Sequence, residues 1–192
     1  MVSVNSTMLP LGSPLPEFKL PDPSGRVIGS EDFAGAPATL VMFICNHCPY
    51  VKHIRPQLAQ VARELKNRGV GVLAINSNNY EIYPDDAPDM MAVEAEEFGY
   101  VFPYLVDEDQ EVARAFRAAC TPDFFLFDRD RRLAYRGQFD SARPKNDIPV
   151  TGEDLKAAAE ALLEGRPVPE EQSPSIGCNI KWKPGNEPDY FG

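Results

Sequence analysis

The chain has 192 residues and a formal charge of −10. This length is enough to bury a core, and it favours one domain with additions over two complete domains. The negative charge argues against nucleic-acid backbones and anionic membrane surfaces as partners, because both would repel the protein. Residues 1–10 lack a signal-peptide pattern and no later apolar run could cross a bilayer, so the cytoplasm is the expected compartment.

Apolar runs alternate with helical patterns along the chain, which is typical of an α/β domain. The helical patterns cover residues 50–69, 89–99, 109–119 and 151–165, and the last opens on a capping-box pattern formed by Thr151 and Asp154. Three of the expected strands are nearly continuous apolar runs, so we expect a sheet covered by helices on both faces. The expected strands are residues 39–44, 71–76, 102–107, 123–128 and 132–137.

The ends of the chain differ from its middle. We expect a flexible leader at residues 1–10, the domain at residues 11–165 and an extended tail at residues 166–192. The tail contains five prolines and shows no helical period, but it carries Trp182 and Cys178. Disordered tails usually lack such groups, so this one is expected to pack back on the domain.

The stretch "FICNHCPYVKHIRPQL", residues 43–58, holds two of the four cysteines and both histidines. A buried strand ends here and a helix begins close to Cys48, where free backbone N–H groups and the helix dipole favour a thiolate. Pro49 fits the first helical turn, whereas Pro56 inside the helix breaks a local rule, as often happens at functional sites. Four cysteines are too few for a disulfide scaffold, so Cys45 and Cys48 suggest redox chemistry or a metal site.

A second signal is the sequence "CTPDFFLFD", residues 120–128. A Thr-Pro dipeptide, Thr121-Pro122, comes directly before a buried strand. A proline at such a turn is a candidate for a cis peptide bond.

Together these motifs resemble the thioredoxin superfamily, in the redoxin branch that includes peroxiredoxins. Residues 11–43 are similar to the entry segment of that branch, and residues 102–137 to its second half, with Thr121-Pro122 at the place of its cis-proline turn. The combination of "CNHCPYVKH", "CTPDFFLFD" and "SIGCNIKWKPGNEPDYF" resembles a bacterial peroxiredoxin-like subgroup. The resemblance implies a thioredoxin-like fold with an N-terminal redoxin extension, and redox chemistry that needs no cofactor.

The resemblance also implies which cysteine attacks. In thioredoxin-like proteins a proline inside the helix follows the nucleophilic cysteine by eight residues, and Pro56 follows Cys48 at that spacing. Cys48 is therefore the expected nucleophile, Cys45 its partner, and Val51 stands where the usual resolving cysteine would be. The expected function is thiol-disulfide exchange on a disulfide-bearing protein or a small thiol, with a thiol reductant as the second partner.

Two other functions remain open. A thiol peroxidase would use Cys48 on a peroxide, with Cys45, Cys120 or Cys178 capturing the sulfenic acid. The peroxiredoxin pattern, however, places Thr or Ser where this chain has Cys45, and it needs an arginine from a later strand that "CTPDFF" does not offer. A metal site would use Cys45, Cys48 and His47 or His53, but the spacing is poor for a tetrahedral set.

Several further residues have both a functional and a plain structural interpretation. His47 could favour the thiolate or be an exposed loop residue, and Thr121 and Pro122 are expected to shape the site. Cys120 and Cys178 are possible additional redox thiols, although burial or packing would explain both. The family's buried acid has no clear counterpart, with Glu81 as a speculative substitute. The eleven acidic residues of the stretch 81–111 are interpreted as a solvated face.

Overall fold

The computed structural model describes residues 3–191. Its helices, in chain order, are α1 (Pro49–Asn67), α2 (Pro88–Glu97), α3 (Glu111–Ala115) and α4 (Glu153–Leu163). Its strands are β1 (Ser3–Asn5), β2 (Lys19–Pro21), β3 (Val27–Gly29), β4 (Ala38–Phe43), β5 (Gly71–Asn76), β6 (Tyr104–Val106), β7 (Cys120–Thr121), β8 (Asp123–Asp128), β9 (Leu133–Gly137) and β10 (Ile176–Asn179).

A five-stranded mixed sheet in the order β6-β5-β4-β8-β9 forms the centre. Strand β4 lies in the middle, parallel to β5 and antiparallel to β8. All of β4 is buried, as are five residues of β5 and of β8, because these apolar runs are covered on both faces. All five strands expected from the sequence are present, and the prediction that three of them are central is confirmed.

The two faces of the sheet are covered differently. Buried side chains of α1 and α4, with Met91 of α2, pack on one face. The other face is covered by Val112 and Ala113 of α3, by the β2-β3 hairpin and by the tail residues Ile180 and Trp182. The fold is therefore thioredoxin-like with helices on both faces, but the helix expected over residues 109–119 is reduced to the five residues of α3.

The start of α4 differs from the expected capping box. Gly152 is the N-cap, with φ of 69°, and the helix begins at Glu153. The carboxylate of Asp154 accepts a hydrogen bond from Gln138 at 2.6 Å instead of closing back on the helix end. A Cβ at position 152 would lie 2.6 Å from the Phe139 ring, so glycine is required by both its backbone conformation and its surroundings.

The beginning and end of the described chain meet in a second, three-stranded sheet in the order β1-β10-β7. Residues 3–5 pair with the tail strand β10, whereas the sequence analysis expects a flexible leader at residues 1–10. A strand of three residues is too short to leave a clear pattern in the sequence. The division of the whole chain into leader, domain and tail stays a prediction. Among residues 3–191, no helix is long and apolar enough to cross a membrane.

The tail is held to the domain by hydrogen bonds on both sides of Lys181. Its N–H donates to the side-chain oxygen of Asn78 at 2.8 Å, and its carbonyl accepts from the N–H of Asn79 at 2.8 Å. The N–H of Ile180 donates to the carbonyl of Ala119 at 3.0 Å. These bonds fix the register of β10 against the core, and that register determines which residue of the tail reaches the cysteine pair.

Candidate redox site

The cysteine pair lies in the short loop between β4 and α1. Cys48 is the N-cap of α1, and its carbonyl accepts the first helical hydrogen bond, from the N–H of Lys52 at 2.9 Å. Pro49 occupies the first helical position, where its missing N–H costs nothing. The helix starts where the sequence predicts, so the Cys48 sulfur lies beside the free N–H groups of its first turn.

The Thr121-Pro122 turn closes over the two cysteines, and its peptide bond is cis, as predicted. The Cys45 Sγ lies 3.2 Å from the hydroxyl oxygen of Thr121. The Cys48 thiol donates to the Thr121 carbonyl oxygen at 3.1 Å. One residue of this turn therefore contacts both sulfur atoms, although the turn is more than 70 residues away in sequence.

A third cysteine joins the pair. Strand β10 places Cys178 directly opposite Thr121. The Cys178 side chain hydrogen-bonds to the sulfur of Cys48, as does the side chain of Cys45. All three cysteines are buried, with exposed fractions of 1%, 0% and 3% for Cys45, Cys48 and Cys178. The site is therefore a cluster of three thiols with Cys48 in the middle.

The three thiols differ in acidity. Hydrogen bonds from the Cys178 and Cys45 side chains, and from the backbone N–H of Val51, hold the pKa of Cys48 well below its usual range despite its burial. Burial raises the pKa of Cys45. The hydrogen bond to Cys48, together with burial, raises the pKa of Cys178. The negative charge is therefore carried by Cys48, while the two flanking thiols keep their protons as donors.

The carbonyl of Thr121 acts against this ionisation. A carbonyl oxygen accepts a hydrogen bond only while Cys48 is protonated, and it faces the thiolate unfavourably once the proton has left. The thiol and amide donors around the sulfur outnumber this one acceptor, so the pKa of Cys48 is still lowered. An alanine in place of a flanking thiol would remove a donor and raise the pKa of Cys48, whereas a serine would keep a donor there.

His47, between the two cysteines, is held by a buried acid. Its Nδ1 donates to the carboxylate of Asp86 at 2.6 Å, and its ring stacks on Tyr83 with centroids 5.0 Å apart. The Nε2 of His47 is buried without a hydrogen-bond partner. The ring is therefore fixed in the loop and differs from the exposed residue that the plain interpretation expects.

Asp86 organises the whole loop. Its carboxylate accepts hydrogen bonds from the backbone N–H groups of Asn46 at 2.7 Å and His47 at 3.3 Å, and from the side-chain amide of Asn78 at 2.8 Å. It also contributes to the raised pKa of Cys45 through its negative charge. This is the buried acid near the cysteines that sequence reasoning missed.

The reason for the miss is that Asp86 lies in the acidic stretch 81–111, which the sequence presents as a solvated face. The structure buries three of its members, Asp86, Glu94 and Asp107, while Glu81 is exposed. Glu81 is therefore not the buried acid. The only local signal for Asp86 is its place in "YPDDAP", between two prolines that start a short 3-10 turn and the helix α2.

We expect Asp86→Asn to destabilise the protein by about 1–3 kcal/mol, because an amide group offers one acceptor and places its own N–H₂ against donors that stay buried. Urea unfolding at neutral pH measures this loss. The matched control is Asp85→Asn, which changes the neighbouring, exposed carboxylate and should leave the free energy of unfolding within about 0.5 kcal/mol of the original. Equal effects of the two substitutions would contradict the role given to Asp86.

The metal alternative meets a different residue set in the structure. Cys45, His47 and Asp86 each bring one ligand atom to within 4.8 Å of the others, so Asp86 takes the place expected for Cys48. The His47 and Asp86 atoms are already joined by a hydrogen bond of 2.6 Å. Two of the three candidate ligand atoms are therefore already hydrogen-bonded to each other.

Cys120 and His53 show no hydrogen bond to the three thiols within residues 3–191. Cys120 is fully buried and its thiol donates to the carbonyl of Pro122 at 3.6 Å, while burial raises its pKa. His53 is half-buried on α1, with its Nε2 lacking a hydrogen-bond partner. Cys178, and not Cys120, is thus the additional thiol that contacts Cys48.

Comparison with known proteins agrees with this geometry. The solved structure of an uncharacterized conserved protein from Geobacillus kaustophilus is similar to this chain with a TM-score of 0.94 and 57% identity, covering 96% of this chain and 98% of that one. The thioredoxin domain of a thiol-disulfide oxidoreductase from Bacteroides vulgatus shares the fold, with a TM-score of 0.62 and 18% identity over 81% of this chain and 99% of that one.

Among curated proteins, the thiol-disulfide oxidoreductase ResA of Geobacillus thermodenitrificans is 25% identical over 127 residues, which is 66% of this chain and 68% of the relative. The model of the AhpC/TSA family matches residues 11–136. This range contains the cysteine loop and the cis-proline turn, but it ends before the tail that supplies Cys178. The chain belongs to the AhpC/TSA family, in the redoxin branch of the thioredoxin superfamily.

Proposed function

We propose that Cys48 is the nucleophile of a thiol-disulfide exchange reaction in which Cys45 acts as its partner. The protein is a thiol-disulfide oxidoreductase, and the observation that supports this role for Cys48 is the set of donors around its sulfur. Thiol and amide groups lower the pKa of Cys48, whereas the pKa of Cys45 is raised. At neutral pH the attacking thiolate is therefore Cys48.

The exchange proceeds in two displacements. The Cys48 thiolate attacks one sulfur of a substrate disulfide, forming a mixed disulfide and releasing the other half as a thiolate that takes a proton. The Cys45 thiol then loses its proton and attacks the Cys48 sulfur, which releases the second half of the substrate and leaves a Cys45–Cys48 disulfide. A low pKa makes Cys48 a good leaving group, so its mixed disulfides exchange quickly.

The surroundings support a disulfide-bearing protein or a small thiol compound as the substrate. A shallow cleft runs beside Pro122, lined by Tyr50, Phe139, Arg143 and Ile176. With a volume of about 20 Å³, this cleft holds about one water molecule, so a substrate would lie across its apolar rim and its one arginine without entering it. A dithiol reductant would return the protein disulfide to the reduced state, and we propose the cytoplasm as the compartment where this occurs.

The peroxidase alternative has less support. Within residues 3–191 the hydrogen bonds to the Cys48 sulfur come from thiol and backbone N–H groups, and none comes from an arginine. Arg143, at the nearby cleft, uses its guanidinium on the Gln138 side chain and on the backbone carbonyls of Asp140 and Ala142. A peroxide at Cys48 would therefore lack the charged donor that polarises its O–O bond.

An insulin-reduction assay with dithiothreitol as the reductant tests this function. The reduced full chain should accelerate the loss of insulin disulfides well above the rate with dithiothreitol alone, in proportion to the amount of protein. The same assay in the presence of oxidised glutathione as a competing substrate should show slower insulin reduction. A rate equal to that of dithiothreitol alone would contradict the proposal.

A further inference from the structure

The tail strand β10 brings a third thiol to the Cys48 sulfur, in addition to that of Cys45. Its register pairs Cys178 with Thr121, the residue whose carbonyl contacts Cys48 at 3.1 Å. Both the side chain and the backbone N–H of Cys178 hydrogen-bond to the Cys48 sulfur. Cys178 thus contacts the Cys48 sulfur, as Cys45 does.

This placement is built into the sequence of the tail. Gly177 lies so close to the cis-proline turn that a Cβ there would come within 2.0 Å of the Thr121 carbonyl oxygen and 2.6 Å of its carbon. Only glycine permits this approach, which sets Cys178 against the helix end. On the other side, the bonds of Ile180 and Lys181 to the domain hold the strand in register.

The tail also helps to bury the Cys48 sulfur. Cys48 has no exposed surface, and β10 contributes to its cover together with the Thr121-Pro122 turn. A substrate disulfide would therefore reach Cys48 only when this cover moves aside, and a tail that closed again would bring the thiol of Cys178 against the mixed disulfide. A thiol in contact needs no diffusional encounter, so capture by the tail is favoured by its high effective concentration.

We propose that Cys178 is a second resolving thiol, which captures Cys48 after substrate attack and joins the tail to the site through a Cys48–Cys178 disulfide. The inference rests on the proposed function, in which Cys48 is the nucleophile. It adds a catalytic residue outside the segment that the family model matches.

The step balances without an external oxidant. Cys178 loses its proton and attacks the Cys48 sulfur of the mixed disulfide; the Cys48–Cys178 bond forms, the bond to the substrate sulfur breaks, and the substrate thiolate takes the proton. The substrate disulfide is reduced by two electrons and two cysteine thiols are oxidised to one disulfide. Cys45 can then attack Cys48 in turn, which releases Cys178 as a thiol and converts one protein disulfide into the other.

Peptide mapping separates the two disulfides because the sequence distributes the cysteines among tryptic peptides. Cys45 and Cys48 share the peptide that ends at Lys52, Cys178 lies in the peptide that ends at Lys181, and Cys120 lies in the one that ends at Arg129. The reduced full chain would be treated briefly with limiting oxidised glutathione, alkylated and digested without reduction. A Cys45–Cys48 bond stays within one peptide, whereas a Cys48–Cys178 bond joins two.

We expect the joined peptides in the wild-type protein, and in a larger amount in Cys45→Ala, where Cys178 has no competitor. The joined species in Cys45→Ala also excludes a Cys45–Cys178 bond as its source. Cys120→Ala, which removes a buried thiol that bonds to Pro122, should leave the pattern unchanged. The inference is overturned if Cys48 is oxidised while Cys178 is fully alkylated in both wild type and Cys45→Ala. If Cys48 itself stays fully alkylated, the proposed function fails as well.

Discussion

Cys48→Ser is expected to abolish disulfide reduction, with a fall in the insulin-reduction rate on the order of a thousandfold or more, to the level of the reductant alone. The hydroxyl of serine stays protonated at neutral pH, and its oxygen does not exchange with disulfides. The donors that favour a thiolate at this position would then surround a neutral group. The measurement is the initial rate of insulin reduction at several protein concentrations.

Two variants separate this loss from a folding defect. Cys48→Ala removes the sulfur without adding a buried hydroxyl and should be equally inactive. Cys120→Ala also removes one fully buried thiol, but one that hydrogen-bonds to Pro122 and not to Cys48, so its rate should stay close to that of the original protein. Substantial turnover by a folded Cys48→Ala protein would show that another cysteine attacks the substrate.

Gly177→Ala should have the second large effect, on the tail. The added methyl group meets two backbone atoms of Thr121 at 2.0 and 2.6 Å, and neither can move aside as a flexible side chain would. Strand β10 must therefore shift away from the cis-proline turn, at a cost of about 1–3 kcal/mol. The shift takes Cys178 away from Cys48, which should raise the pKa of Cys48 and suppress the Cys48–Cys178 disulfide.

Urea unfolding measures the stability change, and the pH dependence of the ultraviolet thiolate absorbance measures the change in the Cys48 pKa. Ile176→Ala is the matched control, since it alters the neighbouring residue of the same strand, whose side chain is 36% exposed. This control should leave both quantities near their original values. A Gly177→Ala protein with unchanged stability and an unchanged thiolate titration would contradict the close packing of the tail on the site.

The sequence predicts the central elements well because their signals are local. The apolar runs of β4, β5 and β8 and the proline-rich start of α1 are each readable within a few residues, and so is the Thr-Pro dipeptide before β8. Strand β7 and the pairing of β1 with β10 depend instead on contacts between distant segments. Two or three paired residues produce no periodic pattern that a sequence could reveal.

The same difference applies to the site. The placement of Cys48 at a helix start follows from the spacing of Cys45, Pro49 and Pro56, but its acidity depends on Cys178, which lies 130 residues further along the chain. Asp86 was hidden for a related reason, since a buried acid within an acidic stretch looks like any solvated one until its hydrogen-bond partners are known. Long-range pairing supplies both missing pieces.

The identity of the nucleophile is tested most directly by trapping it with oxidised glutathione in two matched variants. Cys45→Ser/Cys178→Ser keeps Cys48 with hydroxyl donors in place of its flanking thiols, and Cys48→Ser/Cys178→Ser keeps Cys45 instead; both retain Cys120. Peptide mapping after limiting exposure should find a stable glutathione adduct on Cys48 in the first variant and far slower modification of Cys45 in the second. Modification of Cys45 at an equal or greater rate would contradict the assignment of Cys48 as the attacking thiol.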